Sequence, residues 1–194
     1  MILIEKEAEK FLENEGFDVI DRFYVTEENK ISKVPLNFPW VMKASGKKII
    51  HKRKIGGIKL NIKNIEEAAK TFHELKKLES FEGVIIQPQI KGQELILGLK
   101  YTQDFGIVIM VGAGGSRVEE KKDVAFRVCP IKKEDAWKML HEIKIEVINK
   151  KAVKKNLLKL SRIAEKYPNI KELDINPLFI DKEGGIVVDA RIVK

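Results

Sequence analysis

The sequence predicts an α+β protein with largely antiparallel sheets, and three observations carry that expectation. Strand-like runs follow one another with turn residues between them, in the manner of hairpins. Helical periodicity is confined to a few segments lying between groups of strands. The order does not alternate strand and helix one for one, which sets aside a doubly wound parallel sheet. With 194 residues, the chain can form a single domain of two small lobes.

Taken from the N-terminus, residues 5–15 read as an amphipathic helix with Ala8, Phe11 and Leu12 on one face, stopped by Gly16. Residues 17–25 are strand-like, and 26–37 form a polar linker containing Pro35. A strand over 38–43 ends in Lys43. Two more, 47–51 and 58–62, flank Gly56-Gly57. Asn64 with Glu67 three residues on resembles a capping box and starts a helix to about Leu78. The run 83–87 is wholly apolar up to Gln87, as a buried strand would be. Residues 94–101, 107–111 and 124–128 continue the sheet around the glycine-rich turn 112–115. Helices are expected over 134–150 and 151–167, the second ended by Pro168. A hairpin closes the chain, 172–178 against 186–191. The expected lobes are about 20–86 and 87–194.

Composition narrows the function. The hydrophobic fraction is 44% and the charged fraction 34%, which describes a soluble protein with a heavily charged surface. No apolar run approaches the roughly 18 residues of a membrane span, so no membrane role is expected. The opening Met1-Ile2-Leu3-Ile4-Glu5 turns acidic too soon for a signal peptide. The lone cysteine, Cys129, fits a reducing cytoplasm. A net charge of +8 invites nucleic acid, but the 37 basic residues are interspersed with 29 acidic ones. A basic lining for nucleotide phosphates explains the charge as well.

The C-terminal hairpin carries the clearest chemistry. If residues 181–184 form its turn, Asn176 lies opposite Asp189, and Asp174 opposite Arg191. Oxygen donors then converge beside one guanidinium. Mg²⁺ takes one or two protein oxygens at about 2.1 Å and completes its shell with water and phosphates. The same pattern also fits a solvated edge hairpin. Lys43 suits a phosphate or a snorkelling surface position. Gly56-Gly57 suits an anion cradle or a tight turn. Gln87-Pro88-Gln89-Ile90 breaks a strand, freeing backbone groups for a base, with Glu94 nearby for a ribose. His51, among cations, suits a phosphoryl acceptor. Neither a P-loop pattern, a Ser-His-Asp spacing nor a zinc cluster is present. The suggested chemistry is phosphoryl transfer by positioning.

Together the blocks resemble one family. They run from Lys43 through His51-Lys52 with Gly56-Gly57, and Gly83-Val84-Ile85-Ile86-Gln87, to Gly92-Gln93-Glu94 and Asp104-Phe105-Gly106. Gly112-Ala113-Gly114-Gly115-Ser116-Arg117-Val118-Glu119 and Lys122-Asp123-Val124-Ala125-Phe126-Arg127 follow. Glu172-Leu173-Asp174-Ile175-Asn176-Pro177-Leu178 and Val188-Asp189-Ala190-Arg191 end the series. This order resembles the ATP-grasp (beta) subunit of ADP-forming acyl-CoA synthetases, relatives of succinyl-CoA synthetase.

The resemblance implies an ATP-grasp fold, with ATP or ADP as substrate and Mg²⁺ as cofactor. It puts Lys43 on the phosphates, Gly56 and Gly57 in the covering loop, and Gln87, Gln89 and Ile90 at the adenine. Glu94 would lie near the nucleotide, and Asn176 and Asp189 on the metal; by the hairpin register alone, Arg191 suits a nucleotide phosphate. It implies a CoA-binding alpha subunit as partner and His51 as phosphoryl relay. Two departures stand out. His51-Lys52-Arg53-Lys54 replaces the family's His-Lys-Ser-Asp, and 25–40 lacks the usual helix. A stand-alone or degenerate nucleotide-binding protein is the alternative.

Overall fold

The computed structural model describes residues 2–3, 5–46, 48–49, 52–115 and 123–194. In chain order it contains β1 (Ile2–Leu3), α1 (Glu5–Asn14), β2 (Phe23–Val25), a 3-10 helix (Glu28–Lys33), β3 (Trp40–Ser45), β4 (Ile58–Ile62) and α2 (Ile65–Leu75). There follow β5 (Gly83–Pro88), β6 (Gln93–Thr102), β7 (Gly106–Ala113), β8 (Val124–Val128), α3 (Lys133–Glu142) and α4 (Lys150–Lys166). The hairpin strands β9 (Glu172–Ile180), β10 (Gly185–Val187) and β11 (Ala190–Val193) come last. The chain divides into two compact units, Ile20–Ile90, and Met1–Val19 with Lys91–Lys194.

In the unit Ile20–Ile90 the strands lie in the order β2-β5-β3-β4, each pair antiparallel. Period-two alternation sends Trp40, Met42, Ala44, Val84 and Ile86 to one face, where they pack on Ala68, Phe72 and Leu75 of α2. Asn64 caps α2, its Oδ1 accepting from the Glu67 N–H at 2.8 Å. The Glu67 carboxylate returns to the Lys63 N–H at 2.8 Å, one residue short of the capping-box position. Where the sequence suggests only a polar linker, the 3-10 helix buries Ile31 in this core. Strand β4 is bulged: Met42 faces Lys59 and Trp40 faces Ile62, so Leu60 and Asn61 together stand opposite Val41.

The other unit carries a sheet in the order β1-β11-β9-β6-β7-β8, with β10 also paired to β9. The inward residues Leu95, Leu97, Leu99, Ile109, Leu173 and Ile175 meet Leu12 of α1, Met139 of α3 and Leu157 of α4. Burying each such side chain contributes about 1.5–3 kcal/mol relative to exposure. The opposite face is half-exposed or exposed along Phe126, Met110, Asp174 and Arg191.

Three local expectations need correction. The strand expected over 17–25 is only β2, because the chain leaves one unit at Val19 and enters the other at Ile20. Val19 makes a single parallel bridge to Val187. In the strand expected over 47–51, Lys48 lies in a turn and Ile49 in no regular element, and the rest lie outside the described residues. The helix expected over 134–150 ends at Glu142. Residues 143–149 are a connection pinned by side chains from elsewhere. Asp123 accepts from the N–H groups of Lys144 and Ile145 at 2.6 and 3.0 Å. The Gln93 side chain donates to Glu146 O at 2.6 Å and accepts from Ile148 N–H at 3.1 Å. Asn149 then caps α4 through the Ala152 N–H at 3.0 Å.

Cys129 is half-buried just beyond β8, and burial pushes its thiol up to about 11. At pH 8 its thiolate fraction is then on the order of a hundredfold below that of an ordinary cysteine. Native protein should therefore react with a thiolate-selective reagent on the order of a hundredfold more slowly than urea-unfolded protein. Equal rates would show that the thiol is exposed.

Candidate functional site

Strand β9 organises one half of the candidate site. It keeps one register with both strands beside it: Ile180 faces Gly185, Leu178 faces Val187, Ile175 faces Ala190 and Asp174 faces Arg191. Asp181 and Gly184 close the turn, with the Asp181 N–H donating to Gly184 O at 3.1 Å. Between the paired stretches the Asn176 N–H donates to Asp189 O at 3.0 Å. Asn176 and Asp189 thus stand opposite, the first exposed and the second half-buried. Against β6 the register slips instead. Leu97 faces Ile175 but Leu95 faces Leu178, so Asn176 and Pro177 together oppose Ile96. That bulge falls at Asn176 itself.

Arg191 does not stand alone. Its Nη2 donates to Glu172 Oε1 at 2.5 Å and to Asp174 Oδ2 at 3.2 Å. Burial, more than the neighbouring Glu172, pushes the Asp174 carboxyl up to about 6, and Arg191 opposes the rise. The guanidinium is therefore a counter-ion to two carboxylates within the hairpin. Glu172 is the member of this group that the sequence reading did not single out. It was legible, since it lies two residues before Asp174 on the same strand face.

Glu94 joins this face. Gly98 pairs with Asp174, and Glu94 lies four residues earlier on the same side of β6. The glycine turn after β7 packs against it, with the Gly114 N–H donating to Glu94 O at 2.8 Å. A Cβ on Gly114 would lie 2.6 Å from the Glu94 carbonyl carbon, and one on Gly115 would lie 3.3 Å from Glu94 Oε2. Close approach of two backbones explains the glycine at 114.

The other unit holds a second group. Lys43 and Gln87 are buried polar residues on the sheet face turned away from α2. Lys43 faces Ile85, and Val41 faces Gln87. The turn 52–57 is fastened beside Lys43: the Ala44 N–H donates to Gly57 O at 2.8 Å, and the Gly57 N–H to Lys52 O at 2.7 Å. Gly56 is exposed and takes φ 70, a left-handed conformation that favours glycine. The Gln89 N–H donates to Pro39 O at 2.8 Å, and its side chain accepts from the Asn61 N–H at 2.5 Å. Asn61 also escaped the sequence reading, because a bulge leaves no fixed pattern in residue types. Ile90 is the half-buried last residue of the unit. His51 lies outside the described residues. Arg53 and Lys54 are exposed.

The structure thus gathers Glu94, Asp174, Asn176, Asp189 and Arg191 on one sheet face of one unit. It gathers Lys43, Gln87 and the glycine turn in the other. Asn176 and Asp189 offer only oxygen donors, which suit a hard cation that keeps water and phosphate in its shell. Among the described residues no group of three or more His, Cys, Asp and Glu could cage a metal by itself.

Comparison with known proteins identifies the family. A family model described as an ATP-grasp domain matches residues 1–193. Acetate–CoA ligase (ADP-forming) II of Archaeoglobus fulgidus is 38% identical over 100% of this chain, which spans 30% of that ligase. The beta subunit of acetate–CoA ligase (ADP-forming) I of Pyrococcus furiosus is 37% identical, over 98% of this chain and 91% of that subunit. A solved acetyl-coenzyme A synthetase 1 of Ca. Korarchaeum cryptofilum, described as dinucleotide forming and bound to coenzyme A, Ca-AMPCP and HgCl+, matches with a TM-score of 0.91. It is 32% identical and covers 99% of this chain and 93% of that one.

Two measurements test the local geometry. Carboxyl-carbon NMR of the metal-free protein should give an Asp174 midpoint near 6. Glu172→Gln should lower it and Arg191→Met should raise it further. Because the folded value lies above the ordinary one, Asp174 favours the folded state at acid pH and loses that contribution as pH rises through 6. A midpoint near the ordinary value of about 3.9 would mean that Arg191 fully offsets burial and Glu172. Gly114→Ala should destabilise the protein by about 1–3 kcal/mol through the forced shift at Glu94, read by urea unfolding. An unchanged midpoint would remove that close approach.

Proposed function

Because the chain belongs to the ATP-grasp family, we propose that it is the nucleotide-binding beta subunit of an ADP-forming acyl-CoA ligase of the acetate type. The overall reaction is acyl-CoA + ADP + phosphate to carboxylate + CoA + ATP, run in either direction. The observation that carries the reading is the register that sets Asn176 opposite Asp189, on the sheet face that also bears Glu94. The P. furiosus relative, itself named a beta subunit and matched along 91% of its length, supports it.

In this reading the side-chain oxygens of Asn176 and Asp189 hold Mg²⁺, which would neutralise phosphate charge during transfer. Lys43 and the turn bearing Gly56 and Gly57 bind the phosphates, Lys43 as a point charge. The main chain of 87–90, at Gln87, Gln89 and Ile90, meets the base. Glu94 accepts from the ribose. Arg191 orients Asp174 and Glu172 and leaves their net charge lower beside the metal. His51 relays the phosphoryl group between nucleotide and partner. The partner is a CoA-binding alpha subunit, which the relatives' subunit naming supports. Among the described residues no helix is long and apolar enough to cross a membrane. A cytoplasmic site without membrane or nucleic acid completes the proposal.

A nucleotide-binding protein without ligase turnover is the second reading. Arg53 and Lys54, both exposed, favour it, since they stand where the resembling family carries Ser-Asp and so remove a carboxylate from beside the position proposed for the relay. Turnover with a CoA-binding subunit present decides between the two.

Isothermal titration with Mg-ADP tests the nucleotide site. Asp189→Asn should weaken metal-dependent binding at least tenfold, about 1.4 kcal/mol, while the melting transition stays cooperative. Unchanged binding would falsify the assignment of Asp189.

A further inference from the structure

The bulge in β4 and the end of β5 are joined by one side chain. A two-against-one bulge takes a backbone N–H out of the ladder. Here Leu60 and Asn61 oppose Val41, and Asn61 takes φ 60, which asparagine tolerates better than most residues. Its N–H finds Gln89 Oε1 at 2.5 Å. Pro88, the last residue of β5, faces Trp40 and has no N–H of its own. The ladder nevertheless continues one step, because the Gln89 N–H reaches Pro39 O at 2.8 Å. Gln89 therefore spans from the end of β5, past the start of β3, to the bulge of β4.

The donor fixes which side-chain atom is used. A backbone N–H needs an acceptor, so Oε1 faces Asn61 and Nε2 points away from it. Both the main-chain N–H and the side-chain oxygen of Gln89 thus have partners within the unit. We propose that Gln89 is a positioning residue: acting through Asn61, it holds the backbone of 87–90 in the geometry that reads a purine base. This rests on the nucleotide reading above. Recognition by backbone groups discriminates only if those groups are fixed beforehand. The clasp supplies that fixing at the point where β5 ends.

The test uses the full chain and two variants. Gln89→Glu keeps an acceptor at the same reach, and Gln89→Leu removes it at similar size. Titrations with Mg-ADP and Mg-GDP give affinity and base preference. Hydrogen exchange at the Asn61 amide, read without nucleotide, reports the clasp itself. The expected result is that Gln89→Leu weakens Mg-ADP about tenfold and narrows the ratio between the bases, while Gln89→Glu, which keeps the acceptor for Asn61, loses clearly less than Gln89→Leu. The Asn61 amide should be protected in the first variant and lose protection in the second. Equal losses in both variants would assign Gln89 to direct contact with the base through Nε2 and overturn the proposal. So would a Gln89→Leu protein that keeps its affinity and preference. Unsubstituted protein that binds neither nucleotide overturns the nucleotide reading and this proposal with it. The proposal alone falls when that protein binds and the variants fail to separate.

Discussion

The candidate metal-binding half of the molecule depends on one constraint, the register of β9. Strand periodicity is two, so a slip of one residue would exchange its faces. Asp174 and Asn176 would then enter the core, and Leu173 and Ile175 would leave it. The core prevents this, because Leu173 and Ile175 are both fully buried. Apolar packing on one face thereby fixes polar geometry on the other. The single irregularity sits on the β6 side, where Asn176 and Pro177 share Ile96 as a partner. The pairing with β11 is untouched, so Asp189 remains opposite Asn176.

The charges around this register serve geometry more than stability. The side chains of Arg191, Glu172 and Asp174 remain 41%, 34% and 42% exposed. Ion pairs with that much solvent are worth at most about 1 kcal/mol. Their effect is to hold three long side chains in one arrangement on the sheet face. Burial and Glu172 push the Asp174 carboxyl up, against the pull of the guanidinium.

Much of this was legible in the sequence, for local reasons. The hairpin register followed from alternation and from the turn at 181–184, and the structure reproduces both pairings, Asn176 with Asp189 and Asp174 with Arg191. The cap at Asn64 was legible because its partner is three residues away. What escaped depended on residues distant in sequence. The stretch 143–149 reads as helix until Asp123 and Gln93 take its N–H groups. The strand over 17–25 reads as one run because sequence does not mark where the chain changes unit. The bulge at Asn61 needed Gln89, 28 residues on.

The division of the chain also bears on how it folds. Ile20–Ile90 is one continuous stretch with all its strand partners inside it. The other unit is interrupted by it, and Ile2 pairs with Val193. Closing that pair spans nearly the whole chain, a contact of very long sequence separation, and such contacts slow folding. During synthesis from the N-terminus, α1 would wait without its sheet until β11 emerges, while the inserted unit could already be complete. Until then the apolar stripe of Ala8 and Leu12 lacks the sheet it packs against.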